Sequence, residues 1–263
     1  MSEAPRPTLC IGVLTLNEER RIAQCLQSAS FADQLLVIDS GSSDRTRDIA
    51  SEMGAEVVLY PDWQGFAMQR TRLLAHVKAD YVFFLDADEV ITPELQQELR
   101  GVMAAGRYDV GRVGWCEVAF GRTLTHLRSA GGVSRFFRAS VLQGFDGVVH
   151  EHPILTRAEA RVYRFRNRLL HYSRESIYGC LQKLAQYVQL GAIKRARAGK
   201  RGGIFRGFLS GLAIFIRLYV FRLGILCGPQ GFLFCFFIAL ECFFRYAALR
   251  YDRNLIDAAL VKR

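Results

Sequence analysis

The sequence predicts an α/β protein: a mostly parallel sheet with helices on both faces, followed by an amphipathic, helical C-terminal region. Three observations lead there. Short apolar runs alternate with helical patterns through the first 90 residues, and the runs end on polar or acidic residues. The final third changes character, with long apolar stretches at 207–226 and 231–250. Alternating strands and helices argue for a parallel sheet. Right-handed crossovers then align the strand C-termini along one edge, where ligands bind in open α/β sheets.

The run LCIGVLTL at 9–16 suits a buried strand, and Asn17-Glu18-Glu19 bring negative charge to a helix start. Within Arg20–Phe31, Ile22, Cys25, Leu26 and Ala29 share one helical face. LLVID at 35–39 is a second strand, and Gly41 to Asp44 a turn. Asp44 is placed to cap a helix over Arg45–Met53, with Gly54 as its left-handed stop. AEVVLY at 55–60 is a third strand, 66–78 a helix, and YVFFLDADE at 81–89 a fourth strand ending in acids. The section 107–172 mixes short strand-like pieces with Gly-rich turns. From Ser173 a helical pattern places Ile177, Leu181, Leu184 and Val188 on one face, up to a break at Gly199–Gly203. The expected organisation is a ligand-binding half at 1–110, a second half of the same domain at 111–172, and a basic and apolar helical region at 173–263.

Of the 263 residues 51% are hydrophobic, enough to bury a core and to exclude a disordered chain. The net charge of +10 is concentrated: residues 157–206 hold 13 Lys or Arg against Glu159 and Glu175. Such a block suits phosphate, an anionic lipid surface or nucleic acid, or simply forms a solvated helix face. Seven cysteines, an odd number with no C-x-x-C pair, suggest a reducing compartment. No apolar run precedes residue 9, so no secretory signal is expected and the N-terminal domain is placed in the cytosol.

Asp86-Ala87-Asp88 follows the apolar run YVFFL. In a strand, residues two apart point the same way, so the two carboxylates converge on a hard-oxygen site for Mg²⁺ or Mn²⁺. Such a cation also needs phosphate ligands, and a diphosphate leaving group supplies them. Asp39, ending the second strand, is suited to accept hydrogen bonds from a nucleobase or ribose. Asp44 is either a second ligand-side acid or the helix cap. His150 and His152 share a strand face, where they would orient an acceptor or complete a metal shell. Arg135 and Arg138 would bracket a diphosphate or an anionic acceptor, or lie on a solvated strand edge. No H-E-x-x-H occurs, which disfavours a zinc hydrolase.

The runs VLTLNEERRI, IDSGSSDRT, the Gln69-Arg70 helix and FLDADE resemble family 2 glycosyltransferases of the GT-A fold. DADE, GVVHEHP and HYSRESIYGCLQKLAQY resemble lipopolysaccharide core enzymes of the β-1,4-glucosyltransferase type. The resemblance covers nearly the whole chain and implies an inverting hexosyltransferase with a UDP-sugar donor, glucose as the sugar and lipopolysaccharide core as the acceptor. It implies that Thr15, Asn17, Asp39 and Arg70 lie about the nucleotide. Asp86 and Asp88 match the D-x-D motif, with Asp88 as the direct ligand of Mg²⁺ or Mn²⁺. Many relatives carry two acids where this chain has Asp39-Ser40, which bears on nucleotide preference. The Glu-Asp pair of many relatives is absent too, and the His-Glu form puts the catalytic base at Glu151, flanked by His150 and His152, with Asp146 as the fallback.

The two C-terminal stretches carry Arg217 and Arg222, then Glu241, Arg245 and Arg250. On an insertion scale, about a dozen apolar side chains at about −0.3 to −0.6 kcal/mol each are offset by two central arginines, so spanning is nearly neutral. Interfacial helices or a shallow hairpin turning at Gly228-Pro229 are therefore expected, with the basic block drawn to anionic lipid. The expected location is the cytoplasmic face of the bacterial inner membrane, peripheral or monotopic, and no nucleic acid partner is expected. The alternatives are a glycosyltransferase acting on a polyprenyl phosphate or another surface polysaccharide, and a non-catalytic lipid- or nucleic-acid-binding module. The module accounts for the basic block but not for acids gathered at strand ends.

Overall fold

The computed structural model describes residues 6–128, 131–147 and 152–256. The chain forms two compact units, residues 6–115 with 131–171, and residues 116–128 with 172–256. The divisions fall within two long strands, Val110–Ala119 and Val162–Arg174.

The first unit opens with β1 (Leu9–Thr15), α1 (Ile22–Ser28), β2 (Gln34–Asp39), α2 (Thr46–Glu52), β3 (Glu56–Leu59), α3 (Phe66–Leu74) and β4 (Tyr81–Asp86). A two-residue strand β5 (Glu89–Val90) leads into α4 (Pro93–Ala105), capped by Thr92. Then follow β6 (Val110–Ala119), β7 (Arg122–Thr123), β8 (Val133–Arg138), β9 (Leu142–Asp146), β10 (His152–Leu155) and β11 (Val162–Arg174). Among the described residues the main sheet runs β3-β2-β1-β4-β8-β6-β11-β5 with β7 on β6, and β9 with β10 forms a separate ribbon. The β3-β2-β1-β4 half is parallel, and β4-β8 and β8-β6 are antiparallel.

The α/β class with helices around the sheet is as expected. β1 is buried almost throughout because helices cover both its faces, which explains its unbroken apolar run. Ile11, Val13, Phe83 and Leu85 join one core layer with α1 and α4, while Cys10, Leu36, Ile38 and Phe84 join the other. Gly12 is where α3 comes closest: a Cβ there would lie 2.4 Å from a Leu73 methyl. Gly54 has φ 81 after α2, the left-handed stop expected of it.

Several boundaries differ from the sequence expectation. The fourth strand stops at Asp86, and Ala87-Asp88 form a turn before β5. The alternation argument for Asp86 and Asp88 therefore does not hold, because the chain turns between them. α2 begins at Thr46, one residue later than expected, and its cap position Arg45 makes no side-chain cap bond. The helix expected over 66–78 ends at Leu74.

The second unit contains α5 (Ile177–Arg197), α6 (Ile204–Ile216), a π-helical turn at Arg217–Phe221, a short 3₁₀ turn at Gly224–Cys227, and α7 (Gly228–Tyr251). Gly228-Pro229 starts α7 rather than separating the apolar stretches. Pro suits this first turn, where no helical N–H is needed. Gly207 and Gly211 let α6 approach α7: a Cβ there would sit 2.7 Å and 2.9 Å from the carbonyls of Phe243 and Ala239. The expected α5 face lines a groove against α7, with Ile177 and Leu181 exposed at 46% and 51%. Glu241 is buried, accepting from Arg174 at 2.6 Å and, one turn away, from Arg245 at 3.0 Å. This is the i, i+4 pair the sequence suggested, with a second arginine added.

Candidate active site

The C-terminal edge of the parallel strands gathers the expected residues. Thr15 pairs in register with Asp39, and Leu14 with Asp86. The loops after β1 and β2 are stitched together. Asn17, at φ 55, accepts from the Ser43 N–H at 2.8 Å, and its own N–H donates to Ser42 Oγ at 2.9 Å. Asp44 accepts from Thr46 N–H and Oγ at 3.0 and 2.5 Å and from Glu19 N–H at 3.2 Å, so it ties two loops together.

Asp39 is the fixture of this region. It has no exposed surface, and its carboxylate accepts from Gly41 N–H at 3.0 Å, Ser42 N–H at 2.8 Å, Thr15 Oγ at 3.0 Å and Ser42 Oγ at 2.5 Å. A buried carboxylate must be satisfied in this way. It therefore shapes the loop from beneath rather than projecting from it.

At the end of β4 the chemistry changes. Arg135 from β8 grips Asp86 with both terminal nitrogens, one at 3.0 Å, and Arg70 from α3 approaches at 3.4 Å. Burial raises the Asp86 carboxyl, but the Arg135 guanidinium outweighs it and brings the pKa down to about 2. Glu89 is buried behind it, accepting from Asp86 N–H at 2.9 Å, Arg135 at 3.0 Å and Trp115 Nε1 at 2.5 Å. Burial pushes Glu89 up despite Arg135. Arg70, Asp86, Trp115 and Arg135 border a cleft of about 530 Å³ also lined by Phe66, Arg112, Phe145 and His152.

Asp88 is partly exposed, and its carboxylate faces His171 Nε2 at 3.5 Å. His171 sits in register with Glu89 and beside the Trp115 ring at 5.9 Å. The imidazole meeting Asp88 is thus His171, 83 residues away in the chain, whereas His152 had been the expected metal partner. Among the described residues no group of three or more His, Cys, Asp or Glu is arranged to hold a metal ion. Asp88 supplies one hard oxygen of the kind a divalent cation takes alongside a diphosphate, and His171 Nε2 is the nitrogen beside it. Both oxygens of Asp86 accept from Arg135, whereas among the described residues Asp88 has no guanidinium partner.

Glu151 and His150 lie outside the described residues. His152 is exposed and opens β10 directly opposite Asp146 of β9. Arg138, expected near Arg135, instead donates to Gly106 O at 2.8 Å and stacks on Tyr81. Adjacent positions two or four apart share a strand face, and 135 and 138 do not. Glu89, Trp115 and His171 had been given no role. Glu89 was visible as the last letter of DADE, but nothing local pairs residue 88 with 171.

The fold is of the GT-A type, with acids gathered at the C-terminal edge of its parallel strands. The chain belongs to glycosyl transferase family 2, whose model matches residues 10–160. It is similar to the lipopolysaccharide core biosynthesis glycosyltransferase LpsC of Rhizobium meliloti, 27% identical over 97% of this chain and 96% of that one. An uncharacterized glycosyltransferase of Rickettsia typhi is 26% identical over 90% and 85%. Among solved structures, glucosyl-3-phosphoglycerate synthase of Mycobacterium tuberculosis, complexed with Mn²⁺, UDP and glucosyl-3-phosphoglycerate, is 28% identical over 41% of this chain and 44% of that chain, with a TM-score of 0.38.

Proposed function

We propose that this family 2 glycosyltransferase moves a sugar, glucose in our reading, from a UDP-sugar to lipopolysaccharide inner core by direct displacement with inversion. The observation that carries the donor side is the strand register that sets Thr15, Asp39 and Asp86 along one sheet edge. The acceptor class is supported by the similarity to LpsC over nearly the full length of both chains.

In this reading Thr15, Asn17, Asp39 and Asp44 hold the nucleotide loops in shape, and Arg70 lies beside the diphosphate. Asp88, with His171 beside it, would hold Mn²⁺ or Mg²⁺ together with the diphosphate, while Arg135 fixes Asp86 next to them. The bound cation supplies positive charge against the diphosphate as it leaves. Glu151, oriented by His150, takes the proton of the acceptor hydroxyl. The hydroxyl oxygen then bonds to the anomeric carbon while the bond to the diphosphate breaks, and UDP departs with that electron pair. His152 and the cleft beyond Asp86 face the acceptor.

Membrane attachment is part of the proposal. Ile204–Phe221 and Gly224–Tyr251 are long and apolar enough to cross a membrane, yet only 17% and 39% of their most apolar windows are buried. Phe205, Phe208 and Phe221 stand 74%, 58% and 71% exposed. Interfacial insertion at the cytoplasmic face covers these side chains. High salt should then extract little of the full chain and detergent most of it, since apolar contacts are not screened.

The test is a donor screen with Mg²⁺ or Mn²⁺ and truncated lipopolysaccharide acceptors, followed by linkage analysis. The proposal expects transfer from a UDP-sugar with inverted configuration. Retained configuration, or no transfer from any UDP-sugar, would overturn it.

A further inference from the structure

The sheet carries a row of arginines that the donor chemistry does not use. On β6, β8 and β11, Val113, Phe136, Phe165 and Leu169 point into one core layer. Strand alternation sends their neighbours Arg112, Arg164, Arg166 and Arg168 to the opposite face, the one on which Arg135 holds Asp86. The three strands are consecutive in the sheet, about 4.8 Å apart, and alternate residues along β11 are spaced by about 7 Å. Arg112 and Arg135 line the cleft that contains Asp86, and β11 is the next strand beyond Arg112.

The charges on this face are unequally balanced. Asp86 and Glu89 lie against Arg70 and Arg135. Among the described residues Arg112 donates only to a backbone carbonyl, that of Gly132, at 2.7 Å. Among the described residues no carboxylate pairs with the guanidinium of Arg112, Arg164 or Arg166, Glu98 accepting only from the Arg166 backbone N–H at 2.9 Å, and all three residues are exposed. Elsewhere in the same unit surplus arginines are matched: Arg138, Arg157 and Arg161 all converge on Asp109. A row of unmatched guanidiniums beginning in the transfer cleft is complementary to an extended anion placed there, and guanidinium forks suit phosphate and carboxylate. Spacing of about 7 Å separates them too far for one small anion to engage all.

We propose that Arg112, Arg164 and Arg166, continued by Arg168, form the acceptor-binding surface, and that the surface selects a saccharide acceptor bearing several phosphate or carboxylate groups. This rests on the glycosyltransferase reading of the cleft and specifies its acceptor chemistry. A flat membrane surface is the competing anion. The row's continuity with the cleft favours the saccharide.

The experiment uses the full chain and lipid-free inner-core oligosaccharide in three forms: native, dephosphorylated and carboxyl-reduced. Binding is measured for wild type, for Arg164→Gln/Arg166→Gln, and for Lys194→Gln/Arg195→Gln as a charge-matched control on α5. The β11 pair should weaken binding of the native oligosaccharide about tenfold or more and leave UDP binding and donor hydrolysis unchanged. The control should have little effect. The chemically altered form that binds wild type weakly, and no longer responds to the β11 substitutions, identifies the group that is recognised. Arg166→Lys, which keeps the charge, should retain most of the binding, and melting curves check that every variant is folded. Equal losses for all three oligosaccharides, no loss, or loss of binding to phosphatidylglycerol vesicles in place of the oligosaccharide would overturn the proposal. Selective binding of the native form by wild type without sugar transfer would instead remove the proposed acceptor reaction and leave the anion surface standing. Transfer to native and dephosphorylated forms alike, unaffected by the β11 pair, would do the reverse.

Discussion

The ends of β2 and β4 lie on one edge of the same sheet, and both present acids, but they are built on different principles. Asp39 is enclosed and satisfied by backbone N–H groups and hydroxyls. Asp86 faces an open cleft and is held by guanidiniums. Neutral donors fix a shape and add no charge, and the one guanidinium near Asp39 among the described residues, that of the half-exposed Arg47, stays at 3.9 Å, so the first end is a frame. Guanidiniums fix a shape and leave a field, so the second is where an incoming anion is felt. Substitutions at the frame should act through binding and stability, and those at the β4 end through the rate of transfer.

The largest expected effect tests the charged end through its proposed base. Glu151→Gln keeps size and hydrogen-bonding capacity but removes the proton acceptor, and the transfer rate should fall by about 10²–10⁴. UDP affinity, measured by calorimetry on the same preparation, should stay near wild type. A variant within a few-fold of wild-type rate would move the base to Asp146.

Asp88→Ala should lower transfer by about 10²–10³, the range for losing one group that stabilises developing charge. His171→Ala should follow it in direction, since the two side chains face each other at 3.5 Å. If His171→Ala leaves Mn²⁺ dependence untouched while Asp88→Ala removes it, the imidazole has no part in the cation site.

At the frame, Asp39→Ala strands buried donors that the carboxylate now satisfies. It should weaken UDP binding by about 1–3 kcal/mol and lower the melting temperature as well. Loss of activity with UDP affinity and stability both intact would place Asp39 with the charged end and erase the distinction.

The smallest effect is a pH dependence. Partial burial raises Asp44, but its bonds from Thr46 and Glu19 prevail and hold it below the ordinary carboxylate value of 3.8. A carboxylate depressed by folding adds stability above its unfolded value, and that stability is lost as pH falls through the folded one. Asp44→Asn should therefore be less stable than wild type at neutral pH, with the gap closing below about pH 4. A gap that persists unchanged at low pH would show that the loop is not held by the ionised carboxylate.

The same contrast governs what the sequence reveals. LCIGVLTL, LLVID and YVFFLD are legible because β1, β2 and β4 are buried on both sides, and their ends locate the donor edge. Asp44 and Gly54 are legible because turn and stop residues act locally. The antiparallel half is less so: β6 and β8 face both a core and a cleft, and their patterns mix Gly, Trp and Arg. Arg135 could be named as an anion-binding candidate, but not its burial against Asp86 and Glu89, contacts 49 and 46 residues distant. DADE misled in one respect, since an apolar strand continued through it would align Asp86 with Asp88, and the turn at 87–88 breaks that alignment. His171 belongs to a contact that only the pairing of β5 with β11 creates.

The most direct test of this account is calorimetry of UDP binding to wild type and Asp88→Ala, each with Mn²⁺ and with excess EDTA. The account predicts that wild type binds UDP more tightly with Mn²⁺, and that Asp88→Ala with Mn²⁺ binds no better than wild type in EDTA. Wild-type affinity that is the same with and without Mn²⁺, together with transfer that survives EDTA, would contradict it.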